Sequence, residues 1–432
     1  MGKLSALTNF VKTRWFAKIK TKEKLTAYQL KMLKRQLAFL KEKSPYFKAM
    51  NPQKLSDIPI MDKAVMMENF NALNTVGIDR DKALALAIES ERTRDFTPKY
   101  GKISVGLSSG TSGHRGLFVI SDRERNEWAG TILAKLLPQG HILGHRVAFF
   151  LRADNNLYET MNSAALSFSF FDLLKPMEEH FKTLKEFQPT ILVAPASVLK
   201  EIAKKQEESE FIQPEKIISV AEVLNEADER YIKKAFRKDI IHQVYQCTEG
   251  FLGYTCECGK MHLNEDVIYV EKEYVSENRF VPVITDFRRK TQPIIRYRLN
   301  DILVESEEKC KCGSPFLAID KIEGREDDVF LLNGPDGEVK VFADFISRCM
   351  VYVEDIENYR VVQLSADEIV IYIDQITDRT KEDTIGEFKR LSGKMNFFLP
   401  KISFAPYETT PGKKVKRVER LYKRDQEGLE KV

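Results

Sequence analysis

The chain has 432 residues, enough for two or three domains at roughly 100–200 residues each. Its 43% hydrophobic and 31% charged content argues against a disordered chain, and no apolar run approaches the roughly 18 residues of a membrane span. The net charge of +4 is unevenly spread: residues 1–50 hold 13 Lys and Arg against two Glu, a net of +11, which leaves −7 for the remainder.

The opening segment, MGKLSALTNFVKTRWF, has no continuous apolar core and so does not read as a secretory signal; Ala6 stands where a myristoylation pattern needs Ser or Thr. Leu25, Tyr28, Met32, Leu33, Leu37 and Leu40 recur at helical spacing among lysines. Residues 1–44 are therefore expected to be a basic helical extension, either a solvated face or a peripheral contact for a partner or membrane surface. From residue 100 onward, short apolar runs alternate with helical stretches. Strands are expected at 146–152 (RVAFFLR), 190–194 (TILVA), 216–221 (KIISVA) and 240–245 (IIHQVY), with helices at 176–187, 197–206 and 225–236. That alternation predicts βαβ units and a largely parallel sheet. After residue 262 the short strands 267–270 and 280–285 suggest an antiparallel section. A charged, turn-rich stretch near residue 325 suggests a boundary, followed by a helix at 343–353, strands at 359–364 and 368–373, a helix at 381–395 and a basic tail. The expected fold is α/β: a large N-terminal multi-sheet domain over 45–326 with an antiparallel section, and a small mobile C-terminal α+β domain over 327–432.

Four of the six cysteines fall in two tight pairs, Cys256-Glu-Cys258 and Cys310-Lys-Cys312, each followed by glycine, and His262 lies close by. Soft thiolate and imidazole ligands suit a tetrahedral structural Zn²⁺ that would staple residues 254–313. Two ligand sets are open, Cys256, Cys258, Cys310 and Cys312, or the set in which His262 replaces Cys258. Cys247 and Cys349 read as free thiols in a reducing cytoplasm, the expected location.

Between two apolar runs lies VGLSSGTSGHRGLFVIS, residues 105–121. Its Ser108, Ser109, Gly110, Thr111, Ser112 and Gly113 combine hydroxyls with exposed backbone N–H groups, which suits phosphate oxygens, although no Lys-Ser/Thr pair completes a Walker pattern. Four later segments follow in order: Tyr245-Gln-Cys-Thr248-Glu249-Gly250, Tyr297-Arg298-Leu-Asn-Asp301, Gly324-Arg325-Glu-Asp327-Asp328 and Pro411-Gly412-Lys413-Lys414-Val-Lys416-Arg417. Together with the loop they resemble the adenylate-forming superfamily of acyl-CoA ligases, luciferases and adenylation domains. The closer resemblance, over about residues 45–420, is to the compact phenylacetate-CoA ligase and coenzyme F390 synthetase-like branch, which carries a Cys-x-Cys-Gly element and a segment like Asp57-Ile-Pro-Ile-Met-Asp-Lys63. That branch favours the zinc set containing His262.

The resemblance implies a role for each motif. Residues 108–113 would hold the ATP phosphates, and Glu249, with Thr248 beside it, would bind Mg²⁺. Tyr245 would lie against adenine and the backbone at Ala221 and Glu222 would read its edge. Asp301 would take the ribose hydroxyls, and Arg325 ribose or phosphate oxygens. A tail lysine would bridge the substrate carboxylate and the α-phosphate. Lys413 matches the wider Gly-Lys pair, while Lys414 matches the compact branch and is favoured. The loop lacks the Pro-Lys often found after its second glycine, and Arg115 is a candidate for that charge. Asp327 would be the hinge of a domain rotation between two half-reactions. The implied activity is ATP-dependent conversion of a small aromatic or aliphatic carboxylic acid to acyl-AMP, then transfer to CoA or a carrier-protein thiol. Phe168, Phe170, Phe171 and Phe251 are candidates for its apolar pocket. An alternative within the class is nucleotidyl transfer to a cofactor hydroxyl. A zinc-stapled nucleic-acid-binding protein is the rival from another class, disfavoured by the net −7 after residue 50 and the lack of a nucleic-acid motif. A catalytically inactive homologue would not need Glu249, Asp301, Arg325 and a tail lysine. A dimer is compatible with the sequence, which does not fix the assembly.

Overall fold

The computed structural model describes residues 2–16, 19–93, 95, 97–107, 116–151, 166–209, 211–408 and 416–422. The chain forms two compact units, Met1–Leu299 with Leu303–Lys321, and Asn300–Ile302 with Ile322–Val432.

In the first unit, helix α1 (Gly2–Val11) is followed by a short π-helical turn, Lys12–Phe16, and then by α2 (Lys22–Lys43). Thr21 caps α2 through Lys24 N–H, and the helix buries Leu25, Gln29, Gln36, Leu37 and Leu40. Both glutamines donate to main-chain carbonyls far along the chain, Gln29 to Glu265 O at 3.2 Å and Gln36 to Arg289 O at 3.1 Å, while Tyr28 donates to Asp266 O at 2.9 Å. The expected helices are present in residues 1–44, and these residues are grouped with the first unit. Helices α1 and α2 each bury one face against the rest of the first unit and leave Leu4, Leu7 and Leu30, as well as several lysines, exposed.

A hairpin of β1 (Ile103–Leu107) and β2 (Leu117–Ser121) leads into α7 (Asp122–Leu136), which is preceded by α3 (Pro45–Met50), α4 (Lys63–Glu68), α5 (Phe70–Leu73) and α6 (Arg80–Thr93). Ser121 and Glu124 form a capping box at the start of α7. Five strands then pair in parallel in the order β4-β3-β5-β6-β7: β3 (His145–Leu151), β4 (Leu166–Asp172), β5 (Ile191–Ala194), β6 (Lys216–Ser219) and β7 (His242–Cys247). Their connections include α8 (Met177–Phe187), α9 (Ala196–Glu208) and α10 (Glu226–Phe236), each within a few residues of its predicted bounds. The strands read as continuous apolar runs because both sheet faces are covered. Ala148, Phe150, Leu192 and Ile217 join the core beneath α8–α10. Their alternating neighbours Val147, Ile191, Val193 and Ile218 join Ala134 and Leu137 of the α7 region and Phe10 of α1 on the other face.

At β8 (Gly250–Thr255) the pairing turns antiparallel and continues through β9 (Met261–Leu263), β14 (Ala318–Arg325), β13 (Asp301–Glu305), β11 (Arg279–Asp286) and β10 (Ile268–Ser276), with the short β12 (Tyr297–Arg298) also paired to β11. A two-residue connection can only return a strand antiparallel, and Cys247 pairs with Gly250 across Thr248 and Glu249. The antiparallel section therefore begins at residue 250, earlier than the sequence suggests.

In the second unit, β15 (Phe330–Gly334) and β16 (Gly337–Val341) form a hairpin. A four-stranded sheet of order β19-β18-β17-β20 comprises β17 (Tyr359–Ser365), β18 (Glu368–Ile373), β19 (Lys401–Pro406) and β20 (Val418–Arg420). Helices α11 (Ala343–Val351) and α12 (Asp378–Met395) share a core with it that includes Phe330, Ile346, Val361, Ile371 and Phe388. This is the expected small α+β region; its contacts begin at Ile322 and take in Asn300–Ile302, rather than beginning at 327. Among the described residues no helix is long and apolar enough to cross a membrane.

Candidate functional site

Thr248 and Glu249 form the reversal between the parallel and antiparallel parts of the sheet. The Thr248 hydroxyl donates to Glu249 Oε2 at 2.9 Å. Tyr297 also hydrogen-bonds this carboxylate, and its phenol is pushed far up, first by burial and then by the adjacent Glu249 charge. The turn is held from below by a buried arginine. Arg289 donates to Thr248 O at 3.0 Å and to Val119 O at 3.3 Å, and its own N–H, with that of Arg288, donates to Asp286 Oδ1. Asp286 is deeply buried, which raises its carboxyl pKa despite these partners. A Cβ on Gly250 would come within 3.1 Å of Asp286 Oδ2, so the small residue after the turn admits that carboxylate.

The predicted phosphate loop is the connection of the β1–β2 hairpin, closed by the Leu107–Leu117 pair. Ser108, Ser109, Gly110, Thr111, Ser112 and Gly113, with Arg115, lie outside the described residues, as do Lys413 and Lys414. Gly116, the first described residue after the loop, lines a small cleft with Lys63, Thr248, Glu249 and Arg289. With a volume of about 10 Å³ this crevice has room for one water molecule, and it makes the end of the hairpin loop and the turn carboxylate neighbours.

Ala221 has φ +65°, the left-handed region that a residue with a Cβ rarely adopts. Glu222 N–H bonds back to Val220 O at 2.8 Å across it, a three-residue turn of the strained kind that clusters at binding sites. Glu222 Oε2 accepts from Ser197 N–H at 2.9 Å, at the start of α9.

Ala221, Thr248 and Arg288 also border a cavity of about 510 Å³. Its walls are mainly apolar and include Phe118, Trp128, Ile132, Phe149, Phe168 and Val244. Of the aromatics picked out in the sequence, Phe168 and Phe251 line it and Phe170 and Phe171 do not. Phe171 stacks on Phe150 with centroids 4.5 Å apart, in the core on the opposite face of the sheet. Tyr245 is likewise buried and does not line this cavity, whereas Val244 and Gln246 do. A register shift between Tyr245 and Gln246 falls at this point, and such bulges re-aim side chains beside binding sites. Arg289, Asp286, Glu124 and Trp128 also line this cavity, and no motif in the sequence marks them.

In the second unit, Arg325 Nε lies 3.8 Å from Asp301 Oδ1, and Asn300 Nδ2 donates to Asp327 Oδ2 at 3.1 Å. Gly324 sits at φ +134°, a conformation that glycine adopts readily and other residues do not. Asp327 is the centre of the short 3₁₀ turn Glu326–Asp328. Lys416, from the tail motif, pairs with Asp328 at 2.7 Å.

The cysteine pairs converge in the first unit. Ligand atoms of Cys256, His262, Cys310 and Cys312 all lie within 4.8 Å of one another, and exposed Cys258 falls outside that group. Zn–S bonds of about 2.3 Å and Zn–N bonds of about 2.0–2.1 Å imply tetrahedron edges of about 3.8 Å between sulfurs and about 3.5 Å between sulfur and nitrogen. The observed Cys256–Cys310 separation is 3.6 Å and Cys312 Sγ to His262 Nε2 is 3.4 Å. His262 Nδ1 lies 3.1 Å from Phe316 O, an outer-shell contact that would fix the ring with Nε2 facing the sulfurs. The donor set fits a zinc ion.

No family model matches the chain. The CapK protein of Staphylococcus aureus is 27% identical over 250 residues, 55% of this chain and 54% of that protein, so the chain spans about half the length of the curated relative it matches. Among solved structures, 2-hydroxyisobutyryl-CoA ligase in its postadenylation state with 2-HIB-AMP is similar with a TM-score of 0.69 and 15% identity, covering 93% of this chain and 90% of that one. The GH3.15 acyl acid amido synthetase has a TM-score of 0.57 and 12% identity, covering 90% and 87%. At such identities the likeness is one of architecture. The chain has the adenylate-forming ligase fold.

Proposed function

We propose that this protein is an ATP- and Mg²⁺-dependent adenylate-forming ligase, of the compact phenylacetate-CoA ligase-like type, that converts an apolar carboxylic acid to acyl-AMP and passes the acyl group to CoA or a carrier thiol. The observation that carries this reading is the Thr248–Glu249 turn at the rim of the apolar cavity, in a cleft shared with the end of the β1–β2 loop. A cavity of about 510 Å³ lies within the roughly 300–1,000 Å³ of ligand pockets and has room for an aromatic or aliphatic acid.

In this reading the acid's apolar part packs against Trp128, Phe149 and Phe168, which excludes water and leaves its carboxylate toward Thr248. Residues 108–113 hold the departing pyrophosphate through backbone N–H and hydroxyl donors. Glu249 offers a single hard carboxylate, with the Thr248 hydroxyl beside it, the donor chemistry Mg²⁺ takes together with substrate phosphates. The ion, when bound, would spread negative charge on the phosphates. The strained turn at Ala221 presents backbone polar groups to the adenine edge, Tyr245 supports the base, Asp301 accepts from the ribose hydroxyls, and Arg325 binds ribose or phosphate oxygens. Lys414 neutralises charge that develops between carboxylate and α-phosphate. Asp327 serves as the hinge for the thioester step. Zinc held by Cys256, His262, Cys310 and Cys312 is structural, tying the β8–β9 hairpin to the connection after β13.

Acid-dependent pyrophosphate release, with hydroxylamine trapping across a panel of aromatic and aliphatic acids, tests the first half-reaction. Adding CoA, or an amine in view of the amido synthetase neighbour, tests the second. Exchange that needs no carboxylic acid would instead support nucleotidyl transfer to a cofactor hydroxyl and overturn the proposal.

A further inference from the structure

We infer that α1 and the π-helical turn after it form a docking surface for an anionic lipid bilayer. Helix α1 buries some of its apolar residues and exposes others. Phe10 joins the core, and Asn9 bonds Glu127 O and Thr131 of α7. Leu4 and Leu7, one turn apart, are 69% and 58% exposed, and beyond them Trp15, edge-on to Phe10, and Phe16 are 47% and 78% exposed. Exposed large apolar side chains gathered on one short segment mark a contact with a partner or a membrane surface. Charge identifies it. Lys12 and Lys20 are exposed on the same segment, and no acidic residue precedes Glu23. Leucine and aromatic side chains flanked by lysines, with no acid among them, match the interfacial region of a bilayer with anionic headgroups. A second copy of this chain would instead bring two cationic strips face to face.

The test is co-sedimentation of the full chain with vesicles. Binding to vesicles of phosphatidylglycerol and phosphatidylcholine in equal parts should be at least about tenfold tighter than to phosphatidylcholine alone, and should weaken as salt is raised. The triple variant Leu4→Ser, Leu7→Ser and Phe16→Ser should lose binding by about tenfold or more. Because these positions are exposed, its denaturation midpoint should match the parent's. Lys12→Glu with Lys20→Glu, which leaves the apolar stripe intact, should abolish the preference for anionic vesicles. The inference is overturned if the parent ignores anionic vesicles or if the serine variant binds them equally well. A serine variant that turns a dimer into a monomer would assign the stripe to a second copy and also overturn it.

Discussion

Whether the N-terminal segment belongs to the fold can be decided at one residue that does not lie in it. Gly130 is in the middle of α7, and a Cβ there would overlap the Ala6 carbonyl oxygen and lie 3.0 Å from Phe10 N. Both obstacles are main-chain atoms of α1, so no rotamer change relieves them and Gly130→Ala must push the helix away. What α1 then forfeits can be estimated. Burial of Phe10 is worth about 2 kcal/mol. The two hydrogen bonds of Asn9 contribute about 1 kcal/mol each. Arg14, which donates to Ala134 O, Leu137 O and Pro138 O at the C-terminal end of α7, adds about 2 kcal/mol. Alanine returns about 1 kcal/mol through its better helix propensity. Full undocking therefore costs about 5 kcal/mol net, and a partial shift about 2 kcal/mol. In a chain lacking residues 1–16 the obstacle is gone, and the same substitution should stabilise by about 1 kcal/mol. Urea unfolding followed by tryptophan fluorescence reads this well, because the two tryptophans, Trp15 and Trp128, lie one on each side of the contact. A Gly130→Ala protein as stable as the parent, or equally destabilised in the truncated chain, would show that α1 does not rest on α7 at this point.

Four further outcomes follow from the site. Purified protein should carry about one zinc per chain; His262→Ala or Cys310→Ser should lower that below half an equivalent while Cys258→Ser retains it, and the opposite pattern would restore the four-cysteine set. Glu249→Gln should cut acid-dependent pyrophosphate exchange by about 100-fold, as should Lys414→Ala; loss with Lys413→Ala instead would move the catalytic register by one residue. Asp327→Pro should impair thioester formation more than adenylation, and equal losses in both half-reactions would remove it as the hinge. Burial alone would raise the Glu124 carboxyl, but hydrogen bonds from Ser121 and Thr291 outweigh that and hold it below its ordinary value. A depressed carboxylate stabilises the fold above its unfolded pKa of about 4.3, and that stability is lost as pH falls through the folded value. Glu124→Gln should thus be destabilised at pH 7 by about 2 kcal/mol, with the gap closing on acidification below the carboxylate range; a gap independent of pH would show that packing, not charge, is at work.

The parallel half of the sheet was legible because strands covered on both faces must be apolar throughout, and runs such as RVAFFLR stand out between helical patterns. The antiparallel switch was placed late because Gly250–Thr255, GFLGYT, holds two glycines and no polar alternation to mark it as a strand. The polar anchors of the N-terminal helices are invisible for a different reason. Periodicity registers apolar side chains only, whereas Gln29 and Gln36 are buried because they satisfy carbonyls 236 and 253 residues away. Within the site, Thr248 and Glu249 could be read from a motif. Arg289 and Asp286 could not, since Asp286-Phe-Arg-Arg-Lys resembles any charged surface turn until β11 places it under the β7–β8 reversal. The grouping of His262 rather than Cys258 with the other cysteines depends on hairpin register, which pairs His262 with Tyr254.

The +11 of the first fifty residues is best understood by what each charge meets. Arg14 is spent on three carbonyls at the end of α7, and the glutamines of α2 bind main chain, so part of this segment is structural. The lysines that remain exposed surround an apolar stripe rather than a groove or a row of hydrogen-bonding side chains, which distinguishes a lipid surface from a nucleic acid as their counterpart. The same geometry bears on the substrate. Helix α1 covers one side of α7, while Trp128, Thr131, Ile132, Leu133 and Leu136 of α7 line the cavity. A bilayer held at the outer stripe of α1 would therefore lie close to that apolar cavity. An acid that partitions into membranes would be concentrated at that surface, so vesicle binding and acid preference should vary together. Short polar acids would gain nothing from vesicles, and amphiphilic ones should show a lower apparent KM in their presence. A preference for amphiphilic acids that is unchanged by the serine variant would separate the two properties.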